Sequence, residues 1–134
     1  MAGAWPLMPE WVAVPDAPVH RGDSLRVTWN PPHPGAGDGH ELRLALVVHH
    51  KVRMSTSEGL AFEGGRFGIE RQVWIVHDRA PVTAAAGAAL LHVPPGVPYS
   101  YPGSILAFFW GVALADAARQ LEEPIGWSAV KVLP

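Results

Sequence analysis

Glu41-Leu42-Arg43-Leu44-Ala45-Leu46-Val47-Val48-His49-His50-Lys51-Val52-Arg53 is the stretch that decides the fold class. Leu42, Leu44, Leu46 and Val48 occupy every second position, with Arg43, Ala45, Val47 and His49 between them. Period-2 spacing puts the two sets on opposite faces of a β-strand, whereas a helix would need apolar residues three and four apart. The stretch reads as the longest strand of the chain. Its apolar face marks it as a core strand rather than a docking edge.

The same alternation repeats outward on both sides, cut by Pro, Gly and Asp turns. Upstream, Glu10 to Val14 reads as a short first strand ended by Pro15-Asp16-Ala17-Pro18. Arg21-Gly22-Asp23 is a turn, and Ser24 to Asn30 then sets Leu25, Val27 and Trp29 against Arg26 and Thr28. Pro31 to Gly39 holds three Pro and three Gly in nine residues, so it is a loop that no strand interior could contain.

Downstream, Met54 to Gly65 is small and polar and reads as a loop or weak edge. Phe67 to Asp78 is a strand with Phe67, Ile69, Val73 and Ile75 as its apolar positions, and the odd spacing across Arg71-Gln72 predicts a bulge or bend there. In Ala84 to Val93 the alanines favour helix, while Gly87 and the following Pro94-Pro95 favour a strand that stops at the prolines; strand is preferred. Ser104 to Leu114 alternates Leu106, Phe108, Trp110, Val112 and Leu114 against Ala107, Phe109, Gly111 and Ala113. Asp116 to Glu123 is a loop or one helical turn, and Trp127 to Leu133 is the final strand. Seven or eight strands without strand–helix–strand alternation predict an all-β chain: one domain over 1–134, a two-sheet antiparallel immunoglobulin-like sandwich, with 1–10 as an N-terminal arm.

Composition bounds the function. The chain has 134 residues, 49% of them hydrophobic and six of them Trp, which supplies ample apolar surface against chain entropy. A net charge of −2 argues against a nucleic-acid or anionic-membrane binder. Without cysteine there are no disulfides, thiolate metal sites or Cys nucleophiles. The most apolar run, Ile105 to Ala115, is eleven residues long, short of the roughly 20 that a membrane helix needs. Met1-Ala2-Gly3-Ala4-Trp5-Pro6 has neither the basic nor the apolar region of a secretory signal, so a cytoplasmic location is expected. Asn30 is the one asparagine, Gln72 and Gln120 are the two glutamines, and Arg outnumbers Lys eight to two. Thermophily and a GC-rich genome each give that bias.

Leu90-Leu91-His92-Val93-Pro94-Pro95-Gly96-Val97-Pro98-Tyr99-Ser100-Tyr101-Pro102-Gly103, followed by a strand through Phe109-Trp110-Gly111-Val112-Ala113-Leu114, resembles the arrestin-like fold. There an apolar-x-Pro strand end leads into a Pro-x-Ser-aromatic-x-Gly turn and a long aromatic strand. Val19-His20-Arg21-Gly22-Asp23-Ser24-Leu25-Arg26-Val27 is similar to the turn that opens that domain's second strand. Arrestins, retromer-type cargo adaptors and bacterial sporulation-control proteins use such immunoglobulin-like sandwiches as protein-binding modules, so the resemblance implies a binding or scaffolding role. Family members pair two such domains, and this chain has room for one. The charged polar core and phosphate-sensing residues of visual-type arrestins have no matching positions here. Within the turn itself, Pro98 fixes φ and Gly103 can supply a positive φ, while Tyr99 and Tyr101 can act as corner tyrosines.

Recognisable catalytic patterns are missing. Gly59, Gly64, Gly65 and Gly68 lack the Gly-Lys-Ser/Thr core of a phosphate loop, Ser100 is in no nucleophile elbow, and Glu122-Glu123 before Pro124 reads as a solvated turn. A non-enzymatic protein without cofactors is expected. Arg21-Gly22-Asp23 is a turn rather than an adhesion motif. Seven histidines raise a metal alternative. His49 and His50, adjacent on a strand, face opposite sides and cannot chelate together. His77 and His92 lie near the ends of other strands and could meet one of His49 and His50 across the sheet, with Asp78 as an oxygen ligand, in a small-ligand or metal-binding sandwich. The alternative is that these are structural or surface histidines, and His33 and His40 flank the Pro/Gly loop.

For the expected protein partner, the docking positions are the Pro31–Gly39 loop with Pro32 and His33, the Met54–Gly65 segment, and the Trp5–Trp11 arm. Trp5 and Trp11 stand with Met1, Leu7 and Met8 in a segment of little periodicity. It is either a lid over an open end of the sandwich or an apolar patch for a partner or self-association. A homodimer is a further expectation, because two open sheets expose edges that a short chain struggles to cover.

Overall fold

A computed structural model describes residues 5–53, 67–119 and 124–134, with the backbone alone for 52, 53 and 67–70. Every regular element among them is a strand: β1 (Val12–Ala13), β2 (Val19–His20), β3 (Ser24–Trp29), β4 (His40–Arg53), β5 (Phe67–Pro81), β6 (Gly87–His92), β7 (Leu106–Asp116), β8 (Gly126–Val130) and β9 (Val132–Leu133). The all-β expectation holds. The strands form three hydrogen-bonded sheets, in the orders β1-β3-β6, β2-β9 and β5-β4-β7-β8. Met54 to Gly65 lies outside the described residues.

The opening stretch is the centre of the four-stranded sheet. β4 runs antiparallel to β5 on one side and to β7 on the other, which satisfies its backbone on both edges and explains why Leu42 through Val47 are all buried. Its inward face carries Leu42, Leu44 and Leu46 beside Trp110, Val112 and Leu114 of β7. These join Val12, Leu25, Val27, Trp29 and Leu91 from the three-stranded sheet in one apolar cluster, completed by Val82, Val93, Val130 and Val132. Each fully buried aliphatic side chain here contributes about 1.5–3 kcal/mol. The two buried indoles keep their polar ends paired: Trp110 Nε1–H donates to the Pro98 carbonyl (2.9 Å), and Trp29 Nε1–H reaches Thr83 Oγ1 and the Ala85 carbonyl (both 3.1 Å).

Several local expectations are corrected. The final strand breaks at Lys131, and β9 leaves β8 to pair with β2 in parallel, so the pairing is not antiparallel throughout. The bulge of β5 falls at His77 rather than Arg71-Gln72, because Leu44 opposes Asp78 while Ala45 opposes Val76. A second register shift follows Val52. Val73 and Ile75, the apolar positions of this strand, are 53% and 40% exposed, because β5 is an edge strand. The Pro94–Gly103 crossover needs its glycine for space and not for a positive φ: a Cβ on Gly103 would lie 2.1 Å from the Leu106 carbonyl oxygen. Positive φ belongs instead to Gly22 (φ 91°), in the Arg21-Gly22-Asp23 turn, and to Gly39 (φ 72°).

Candidate functional site

The outward face of the four-stranded sheet is floored by small residues. Ala45, Gly111 and Ala113 are buried although they point away from the core, so something covers them. The cover is aromatic. Trp74 of β5, Trp127 of β8 and Trp5 of the arm meet pairwise with ring centroids 4.8–5.0 Å apart, tilted or edge-on to one another. Such tilted contacts match the positive edge of one ring to the negative face of the next. Gly111 is required beneath them: a Cβ there would lie 2.3 Å from the Trp127 ring.

The arm reaches this layer as an extended segment along the β8 edge. Trp127 N–H donates to the Pro6 carbonyl (2.8 Å), and Leu7 bridges Trp127 in parallel. Further along, Val12 N–H donates to the Pro9 carbonyl (3.0 Å) and Asn30 N–H to the Trp11 carbonyl (2.8 Å), and Trp11 and Met8 pack against the core. Trp5 and Trp11 therefore have different surroundings. Trp11 is a half-buried core neighbour, whereas Trp5 fills the gap between two tryptophans on an outer sheet face.

Beside this layer lies a groove of about 690 Å³, walled by Trp5, Tyr101, Phe109, Trp110 and Trp127, with Asp16 and Lys131 also lining it. Phe109 is 40% exposed and its ring centre stands 6.5 Å from that of His49, which shares the groove. Tyr101 is held by a two-way backbone exchange with Phe108 (3.0 and 2.8 Å). The arrangement offers flat apolar faces with opposite charges nearby, which suits binding by stacking and packing.

The other candidate residues do not line this groove. Pro32 and His33 are exposed in a loop of successive turns, with Ala36 N–H donating to the His33 carbonyl (3.1 Å). His77 packs its ring on Trp110 at 5.1 Å, and burial lowers its pKa from the usual 6.5; its Nε2 has no hydrogen-bond partner among the described residues. Asp78 accepts the His92 backbone N–H (2.8 Å) and the Arg79 N–H (2.9 Å), and His92 Nδ1 lies 3.3 Å from the Ser24 hydroxyl. Each of His77, Asp78 and His92 thus has a local structural contact. Among the described residues no group of three or more His, Asp and Glu is placed to hold a metal ion.

Sequence reasoning missed Trp74, Trp127, Phe109 and Tyr101 as one surface. It also missed Arg43, which is 4% exposed and donates to Glu41 (2.6 Å) and to the carbonyls of Asp116 (3.1 Å) and Arg119 (2.8 Å). That set ties the turn after β7 onto the sheet, and Glu41 also accepts from Arg79 (2.8 Å). The signal for the aromatic surface was present in small residues facing aromatic ones at period 2, but alternation does not say what covers an outer face. No helix among the described residues is long and apolar enough to cross a membrane. No protein-family model matches the chain, and no curated protein matches it either.

Proposed function

We propose that the chain is a non-enzymatic protein-binding module, an immunoglobulin-type sandwich of arrestin-like kind, and that its aromatic groove holds an extended partner segment bearing a bulky apolar or aromatic side chain. The observation that carries this is the chain's own arm. It lies beside the groove as an extended segment, bonded through its backbone to the β8 edge and anchored by the Trp5 ring. Main-chain pairing supplies affinity that is indifferent to sequence, and a ring pocket adds selectivity. The sandwich is supported by the single core to which both larger sheets contribute.

A dodecamer phage library selected on the full chain tests the proposal. Recovered peptides are expected to be rich in aromatic residues and proline, and synthetic copies should change indole fluorescence on binding. Phe109→Ser, at a half-exposed groove position, should weaken them at least tenfold with an unchanged far-UV spectrum. Peptides that bind both forms equally would place recognition elsewhere.

A further inference from the structure

The two edges of the four-stranded sheet are treated differently. The β8 edge is occupied by the arm, through the Pro6 carbonyl and Leu7. β5, at the other edge, pairs with β4 alone among the described residues. Its middle reads Val73-Trp74-Ile75-Val76, β-branched and aromatic, uncharged and free of proline, with Val73 and Ile75 exposed. A long apolar edge of this kind is a template for another strand. The Trp74 ring leans over the sheet toward Trp5 and Trp127 and so away from this edge, while further along β5 Asp78 accepts the His92 N–H of β6.

We propose that this edge pairs antiparallel with the β5 edge of a second copy, joining two four-stranded sheets across a two-fold axis at Trp74. The argument for a second copy is self-complementarity. With Trp74 opposite the partner's Trp74, Val73 faces the partner's Ile75 and Gln72 faces the partner's Val76. The one-residue bulge at His77 then shifts the register, so Arg71 comes opposite the partner's Asp78. Without the bulge those two residues would fall out of step. With it they share a face, because Arg71 opposes His50 and Asp78 opposes Leu44, both on the inward side of β4. The two-fold axis makes each off-axis contact twice, giving apolar pairs about the centre and an opposite-charge pair on each flank. The Asp78 carboxylate, although it accepts two backbone N–H groups, retains lone pairs for a guanidinium. Pairing also closes the assembly: the free ends of the joined sheet are the two β8 edges, each covered by an arm. This surface lies on the opposite edge from the groove and does not depend on it.

The chain has no cysteine, so crosslinking reports the register directly. Val73→Cys and Ile75→Cys proteins are made separately in the full chain, and their oxidised mixture is compared with each alone. A disulfide-linked dimer is expected in the mixture and at most weakly in either single sample. Light scattering of the unmodified chain at high concentration should give twice the chain mass. Arg71→Glu, at an exposed position, should raise the dimer dissociation constant about tenfold with an unchanged far-UV spectrum, since it turns two attractions into repulsions. A monomeric mass at high concentration overturns the proposal. So does a dimer that crosslinks no better in the mixture, which would indicate arm exchange or β6 pairing, or one that is indifferent to Arg71→Glu.

Discussion

His77 is a residue whose charged form the fold disfavours. It is the extra residue of the β5 bulge, with its ring on Trp110 and its Nε2 without a hydrogen-bond partner among the described residues, and burial disfavours its charged form. Well above pH 6.5 the ring is neutral in both folded and unfolded chains, and stability is indifferent to it. As the pH falls through 6.5 the unfolded chain takes up a proton that the folded chain holds less well, so stability drops until the folded pKa is passed. Urea unfolding from about pH 7.5 to about pH 5 should therefore show falling stability, and His77→Phe should flatten that slope; parallel slopes would refute the assignment. The sequence offered His77, Asp78 and His92 as candidate ligands near strand ends, and in the structure Asp78 accepts the His92 backbone N–H. It did not foresee that His77 packs on Trp110, because side-chain direction at a bulge departs from strict alternation.

At the scale of elements, the arm is a structural layer as well as a terminus. Trp5 touches two indoles, and tilted ring pairs add about 0.5–1.5 kcal/mol each beyond the area they bury. Trp5→Ala should therefore lower the unfolding free energy by about 2 kcal/mol and open the floor at Gly111 and Ala45, with increased binding of an apolar dye; an unchanged midpoint would mean that the arm adds nothing to the fold. Strand positions were largely legible, since β3, β4 and β7 follow the alternation of Leu25, Leu42 and Leu106 onward. The arm was legible only in part. Its two tryptophans suggested either a lid over an open end or an apolar patch for a partner, and in the structure Trp5 packs on Trp74 and Trp127 over an outer sheet face. That face can seat indoles because Ala45, Gly111 and Ala113 are small, and a period-2 pattern assigns such positions to solvent by default.

For the molecule as a whole, one core joins both larger sheets, and no subset of strands could bury its apolar face alone. Unfolding should be cooperative: indole fluorescence and far-UV ellipticity are expected to give one coincident denaturant midpoint, and two separated transitions would contradict a single core. The class and approximate number of strands were legible, but the division into sheets was not. Local periodicity carries no information on which distant strands meet, so the break at Lys131 and the parallel β2–β9 pairing could not be seen. That pairing has a kinetic consequence. Val19 finds its partner in Val132, more than a hundred residues along, and Val132 is itself fully buried. A pair so distant in sequence raises the contact order, which slows folding and lengthens the time for which Val73-Trp74-Ile75-Val76 can meet other chains before the fold closes.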